Sequence, residues 1–284
     1  MNPPRSQIPE QQGLTKGRHG DELLSIMGND VKTIFRIACV ASVALVLCSL
    51  PAIAQTRELR VIATNTWTAA LAAAAGATQV VTLAPADLRH PAEYELKPSD
   101  VTLLRGADVI VYSGFETMAK KLASAANDGG IKMLQIDADY SLATMRTSIM
   151  AIAAVLGTEP KARESVAALE RSIRVWKAEL QSKGLFGAPV IAHVFQVPLL
   201  KDLGFDIKGV FGPGPLEATQ IAKLSPILAT FIVDNWHNEA AAPLKETMKA
   251  TRYVSFINFP GPDGTASLLD VLADNRKRME TASK

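Results

Sequence analysis

The sequence predicts an α/β protein of two small lobes with mostly parallel sheets, joined by one long rigid helix. Three observations predict this class. Short apolar segments alternate with helical segments through the first half of the chain. A long amphipathic segment then interrupts the alternation, and a second alternating set follows it. The predicted divisions are a leader over residues 1–54, a first lobe over 55–157, a linking helix over 158–184 and a second lobe over 185–284.

The first 54 residues carry the pattern of an export signal. Lys32 and Arg36 precede an uncharged apolar run over residues 37–50, and an Ala-x-Ala site over residues 52–54 follows. These features together are typical of a secretory signal peptide. The apolar run is shorter than the roughly 20 residues that a membrane span needs. We therefore expect a signal peptide over residues 27–54 and a periplasmic mature protein.

The first lobe is predicted from alternating strands and helices with glycine stops. A helix over residues 67–75 ends at Gly76, and a short helix begins at Pro98 and ends before Gly106. The predicted strands are residues 59–64, 79–83, 108–112 and 131–136, and the other helices are residues 116–126 and 143–156.

The linking helix is predicted from a single apolar stripe. Apolar residues recur at spacings of three and four along this segment, namely Val166, Leu169, Ile173, Trp176 and Leu180. Some 24 helical residues make a rod of roughly 36 Å, which suits a connection between two lobes. In the second lobe the predicted strands are residues 189–193, 207–211, 230–234 and 253–257, and the helices are residues 195–202, 217–224, 240–250 and 266–279.

Composition excludes several classes of function. With 48% hydrophobic residues among 284, the chain can bury a sizeable core. A net charge of +2 gives no broad surface for nucleic acid. Cys39 and Cys48 both lie in the predicted leader, so we expect neither a disulfide nor a thiolate metal site in the mature protein. The sequence has no Gly-x-Ser-x-Gly elbow and no His-Glu-x-x-His motif.

Three histidines remain after the leader, namely His90, His193 and His237. Each lies at or beyond the carboxyl end of a predicted strand, the edge where ligand clefts form in open α/β sheets. Three imidazoles with an added carboxylate or water suit zinc, although each ring could also be an ordinary loop side chain. Asn258 and Glu93 could add oxygen ligands. We therefore predict a metal site from these five residues.

Three strings strengthen this interpretation. They are Pro98-Ser99-Asp100-Val101 with residues 106–111, His193-Val194-Phe195 with residues 201–205, and residues 217–224. These strings resemble those of the periplasmic zinc- and manganese-binding proteins of ABC transporters (cluster A-I of the solute-binding proteins), and the resemblance extends over nearly all of the mature chain. It implies a binding protein without enzymatic activity, with zinc or another divalent transition metal as its cargo and an ABC-type membrane permease as its partner.

The resemblance also implies how the ligand set departs from the family. His193 takes a family ligand position, whereas Ala92 stands where the family has its first histidine. Residues 137–141 contain no histidine where the family has its second, and Asn258 replaces an aspartate.

Three functions remain open on the sequence alone. The first is a receptor that captures a metal ion for a permease. The second is a receptor of the same fold for a metal chelate or a small organic ligand, because a chelator would fill coordination positions that the protein no longer supplies. The third is an exported metal-dependent enzyme with Glu93 as its general base. In each case we expect a monomer that binds no nucleic acid.

Overall fold

The computed structural model describes residues 57–283. The predicted leader and signal peptide lie outside these residues. Within them, the chain forms two four-stranded sheets in which every strand pair is parallel. No helix of this part of the chain is long and apolar enough to cross a membrane.

The first sheet has the strand order β2-β1-β3-β4. Its strands are β1 (Arg60–Ala63), β2 (Gln79–Thr82), β3 (Val109–Tyr112) and β4 (Lys132–Gln135). Its helices are α1 (Thr66–Ala74), α2 (Pro98–Leu103), α3 (Ala119–Gly129) and α4 (Leu142–Leu156). Each strand and helix lies within a few residues of its predicted range, because glycine stops and helix caps are readable locally.

Helix α3 begins three residues later than the sequence predicts, and Glu116 explains the difference. Its buried carboxylate accepts hydrogen bonds from the backbone N–H groups of Ser113 and Gly114, at 2.9 and 2.8 Å. It also accepts one from the Thr64 hydroxyl at 2.6 Å. These bonds connect the turn after β3 to the end of β1. Glu116 therefore belongs to this turn, and the helix begins after it.

Helix α5 (Glu159–Ser182) is the predicted linking helix. All five residues of its predicted apolar stripe are buried. The helix therefore packs along its whole length, as the spacing of three and four predicts.

The second sheet repeats the order of the first, as β6-β5-β7-β8. Its strands are β5 (Pro189–His193), β6 (Asp206–Phe211), β7 (Phe231–Asn235) and β8 (Arg252–Phe256). Its helices are α6 (Val197–Leu203), α7 (Ala218–Leu224), α8 (Ala242–Thr247) and α9 (Leu268–Ala282). The described chain also has three short 3-10 turns, over Pro91–Glu93, Val194–Gln196 and Trp236–Asn238, of which the last two directly follow β5 and β7.

One hydrophobic core serves both sheets. Val61 of β1 and Val190 of β5 belong to the same buried cluster, together with Trp176 of α5. The neighbours Ile62 and Ile191 point to the opposite faces of their sheets and belong to two separate outer clusters. The two sheets and helix α5 thus share one continuous apolar interior, and this interior holds the two lobes together.

Candidate functional site

A cavity of about 510 Å³ lies between the carboxyl ends of the two sheets. Both lobes contribute to it, because the segments after β1 to β4 face those after β5, β7 and β8. Its polar lining includes His90, Glu93, Asn235, His237, Asn238 and Asn258, and its aromatic lining is Trp67, Phe115, Tyr140, Phe195 and Phe259. Four of the five residues predicted as metal ligands therefore line one cavity.

His237 lies in the 3-10 turn that follows β7. The Asn235 side chain caps this turn by accepting a hydrogen bond from the His237 backbone N–H at 2.9 Å. The imidazole packs edge-on against Trp236 and Phe259, with ring centres 4.8 and 5.0 Å apart, and the residue is only 4% exposed. Its Nδ1 atom is buried without a hydrogen-bond partner.

Burial lowers the pKa of His237 to about 3, against an ordinary value of 6.5. The side chain of Asn258 lies close enough to oppose this shift, although its Oδ1 atom makes no hydrogen bond of full geometry with the ring. The positive charges of Arg89, His90 and Arg278 lower the pKa further. The ring is therefore neutral at neutral pH, the protonation state that binds metal ions.

His90 and Glu93 reach the cavity from the first lobe. His90 precedes the 3-10 turn over Pro91–Glu93, and its carbonyl accepts a hydrogen bond from the Glu93 N–H at 3.0 Å. Both side chains are exposed. They line the cavity from the first lobe, whereas the buried His237 and the half-buried Asn258 line it from the second.

His193 is placed differently. It ends β5 and is fully buried, with its ring between Phe195 and Phe211 at centre distances of 5.0 and 5.5 Å. Its Nδ1 accepts the Phe195 N–H at 3.2 Å, and its Nε2 is buried without a partner. Burial lowers its pKa, and the nearby Asp234 carboxylate opposes the shift. The residue does not line the cavity in this arrangement, and its role as a ligand stays a prediction.

Gly212 explains why the His193 ring fits where it does. A Cβ atom at position 212 would lie 2.4 Å from His193 Nε2, closer than any side chain tolerates. The backbone there has φ of +79°, a left-handed conformation that favours glycine. The turn after β6 therefore closes directly over the imidazole.

Arg89 bridges the two lobes at the edge of the cavity. Its guanidinium donates a hydrogen bond to the Trp236 carbonyl at 2.7 Å and lies 4.8 Å from the centre of the Trp236 ring. The same group lies 3.5 Å from the Glu239 carboxylate. Arg89 and Trp236 thus form a contact between the lobes, and each is the sequence neighbour of a cavity histidine, His90 and His237.

The sequence did not identify the aromatic wall of the cavity. Its five residues each follow a strand end by two to five positions. That shared offset is a signal the sequence does contain, but large aromatic residues at such positions are as often core as cavity lining. Within residues 57–283, no three His, Cys, Asp or Glu side chains are grouped so that they could hold a metal ion.

Neither protein-family models nor curated proteins match this chain. Solved structures do match it. The solute-binding protein FpvC of Pseudomonas aeruginosa, in complex with Mn²⁺, has a TM-score of 0.61 at 18% identity, over 80% of this chain and 98% of FpvC. A Mn-bound periplasmic metal-binding protein from Candidatus Liberibacter asiaticus has a TM-score of 0.59 at 17% identity, over 79% of this chain and 100% of that one.

A third structure widens the range of proteins that share this architecture. The laminin-binding protein Lbp of Streptococcus pyogenes has a TM-score of 0.60 at 15% identity, over 81% of this chain and 100% of Lbp. At sequence identities this low, the TM-scores of these three structures establish a common fold and nothing beyond it. The chain therefore has the two-lobed α/β fold of these proteins, as its sequence predicts.

Proposed function

We propose that this protein is a periplasmic solute-binding protein that captures a divalent transition metal, zinc or manganese, and delivers it to an ABC-type permease. The observation that carries the proposal is the convergence of His90, His237 and Asn258 on one cavity between the lobes of this fold. Neutral imidazole and amide oxygen are ligands for such ions, and His237 is held neutral. Structures of this fold have been solved with Mn²⁺, Ni²⁺ and Cd²⁺.

The proposal includes a binding role without catalysis. The structural neighbours are named as binding proteins, and the cavity is formed by loops of two lobes that share one core. Export to the periplasm is supported by the signal-like pattern over residues 27–54. We also propose a monomer, since one chain supplies both walls of the cavity.

The ligand set is part of the proposal. We assign His90 and His237 as the primary ligands, with Asn258 and Glu93, which line the same cavity, as oxygen donors. His193 completes the set only if the turn at Gly212 moves off its Nε2 atom. Two imidazoles with weak oxygen donors would hold a bare ion with about micromolar affinity, weaker than a closed set of four ligands.

Calorimetric titration of the metal-stripped mature protein with Zn²⁺, Mn²⁺ and Ni²⁺ tests the proposal. We expect one ion per chain, and at least a tenfold loss of affinity in both His90→Gln and His237→Gln. His90 is exposed, so its variant should fold even if the His237 variant does not. Glu246→Gln, an exposed carboxylate of α8 outside the cavity, is the matched control and should bind as wild type does. Binding that is unchanged in both histidine variants would refute this site.

A further inference from the structure

The cavity is much larger than a bare metal ion requires. Its volume of about 510 Å³ lies in the range of pockets that enclose small organic molecules, roughly 300–1,000 Å³. A water molecule takes up only about 30 Å³ in the liquid. An ion with one or two waters would therefore leave most of the space between the lobes unused.

The walls are aromatic on both sides. Phe115 after β3 and Phe195 after β5 line the cavity from opposite lobes and are 51% and 44% exposed. Trp67, Tyr140 and Phe259 also line the cavity, although the first two are largely buried. Exposed apolar surface of this kind in a concave site is typical of a binding surface for an apolar or aromatic ligand. It adds nothing to the affinity for a hydrated ion.

The protein's own ligands are too few for a closed coordination shell. His90 and His237 offer two imidazoles, and Asn258 and Glu93 add oxygen atoms elsewhere on the cavity lining. In the described part of the chain, however, no three His, Cys, Asp or Glu side chains are grouped closely enough to enclose an ion. Zinc in a structural site has four ligands, and nickel accepts four to six. A bidentate chelator would supply two of the missing donors.

We propose that the cargo is a divalent transition metal already bound by a small, planar, apolar chelator. The chelator's rings occupy the space between Phe115 and Phe195, and the metal's open positions take the imidazoles of His90 and His237. This inference rests on the proposed function and specifies the form in which the metal is captured. A bound chelator would explain two features together, since its donor atoms replace the missing protein ligands and its rings contact the aromatic wall.

Two nickel complexes separate the contribution of the rings from that of the metal. Nickel mono-(1,10-phenanthroline) and nickel mono-ethylenediamine each carry two nitrogen donors and leave the same positions open, but only the first has aromatic surface. We expect calorimetric titration to give the phenanthroline complex at least about tenfold higher affinity than either Ni²⁺ alone or the ethylenediamine complex.

Variants locate that gain in the cavity. Phe115→Ala and Phe195→Ala should each remove most of the difference between the two complexes. Phe186→Ala is the matched control, since Phe186 is similarly exposed at 47% but does not line the cavity. It should leave the difference unchanged.

The outcomes distinguish this inference from the proposed function. Equal affinity for Ni²⁺ and for its phenanthroline complex would overturn the inference and leave metal capture standing. Equal affinity for phenanthroline with and without nickel would also overturn the inference, since the metal would then add nothing to capture of the complex, while no binding of Ni²⁺ or of its complex would overturn the proposed function as well. A preference that persists in both cavity variants would also overturn the inference, because the rings would be bound elsewhere.

Discussion

Acidification should destabilise the metal-free protein through the buried imidazole of His237. In the folded chain this ring has a pKa of about 3, and in the unfolded chain its pKa is near 6.5. Between these values the unfolded chain binds a proton that the folded chain does not bind. The free energy of unfolding therefore falls as the pH drops below 6.5, and it is fully retained above that pH.

Between pH 7 and pH 5 the size of this effect depends only on the pKa of the His237 ring in the unfolded chain. At pH 5 the folded ring is still neutral, because its pKa is about 3. Protonation of the unfolded ring then costs about 2 kcal/mol of stability between pH 7 and pH 5. Burial of His193 lowers its pKa as well, so that ring adds to the loss in the same direction.

Urea unfolding of wild type and His237→Gln at pH 7 and pH 5 measures the contribution. The variant should lose about 2 kcal/mol less than wild type between the two pH values. The comparison uses the change with pH, so a constant destabilisation by glutamine does not affect it. His90→Gln, which replaces an exposed ring at the same cavity, should keep the wild-type loss. Equal losses in wild type and His237→Gln, within about 0.5 kcal/mol, would refute the buried neutral ring.

Two further predictions concern the core and the contact between the lobes. Trp176→Ala should lower the free energy of unfolding by about 3–5 kcal/mol and keep a single urea transition, because this buried residue belongs to the core of both lobes. As a control, Val175→Ala at an exposed position should change the free energy of unfolding by under about 0.5 kcal/mol. Two transitions would contradict the shared core. Gly261→Ala should cost about 2–4 kcal/mol by the same assay, since φ is +135° and a Cβ would lie 2.3 Å from the Ala86 carbonyl oxygen. Gly214→Ala, with open space around it, should be tolerated.

The sequence predicts the fold well because its signals are local. Glycine stops end α1 and α4, and the stripe of α5 is set by a spacing of three and four. Helix α3 begins later than predicted because of the Glu116 carboxylate, which accepts hydrogen bonds from the side chains of Thr64 and Asn65, some 50 residues away. A contact of that kind leaves no periodic pattern.

The site is only partly readable for the same reason. Strand ends bring His90 and His237 to one edge, and this follows from the rule for parallel sheets. The orientation of His193 depends on how closely the turn at Gly212 approaches it, which the sequence around residue 193 does not encode. That Phe115 and Phe195 line one cavity depends on how the two lobes pack, and no single segment contains that information.

The contacts that separate cavity from solvent differ greatly in strength. The shared core buries Trp176 and dozens of other apolar side chains. Separating the lobes there would expose these side chains, at a free-energy cost larger than the net stability of a folded domain. At the front, Arg89 and its ion-pair partner Glu239 are about half exposed, at 50% and 47%. A screened pair contributes up to about 1 kcal/mol, and the contact with the Trp236 ring a similar amount.

This difference determines how a ligand can enter. Large opening about α5 is excluded by the core, whereas release of Arg89 from Trp236 costs only a few kcal/mol even with its hydrogen bond to the Trp236 carbonyl included. Such a cost is met by thermal fluctuation on the timescale of loop motion. We therefore expect the contact between Arg89 and Trp236 to open more readily than the core behind the cavity. A ligand that coordinates both His90 and His237 would add a second link between the lobes beside this contact.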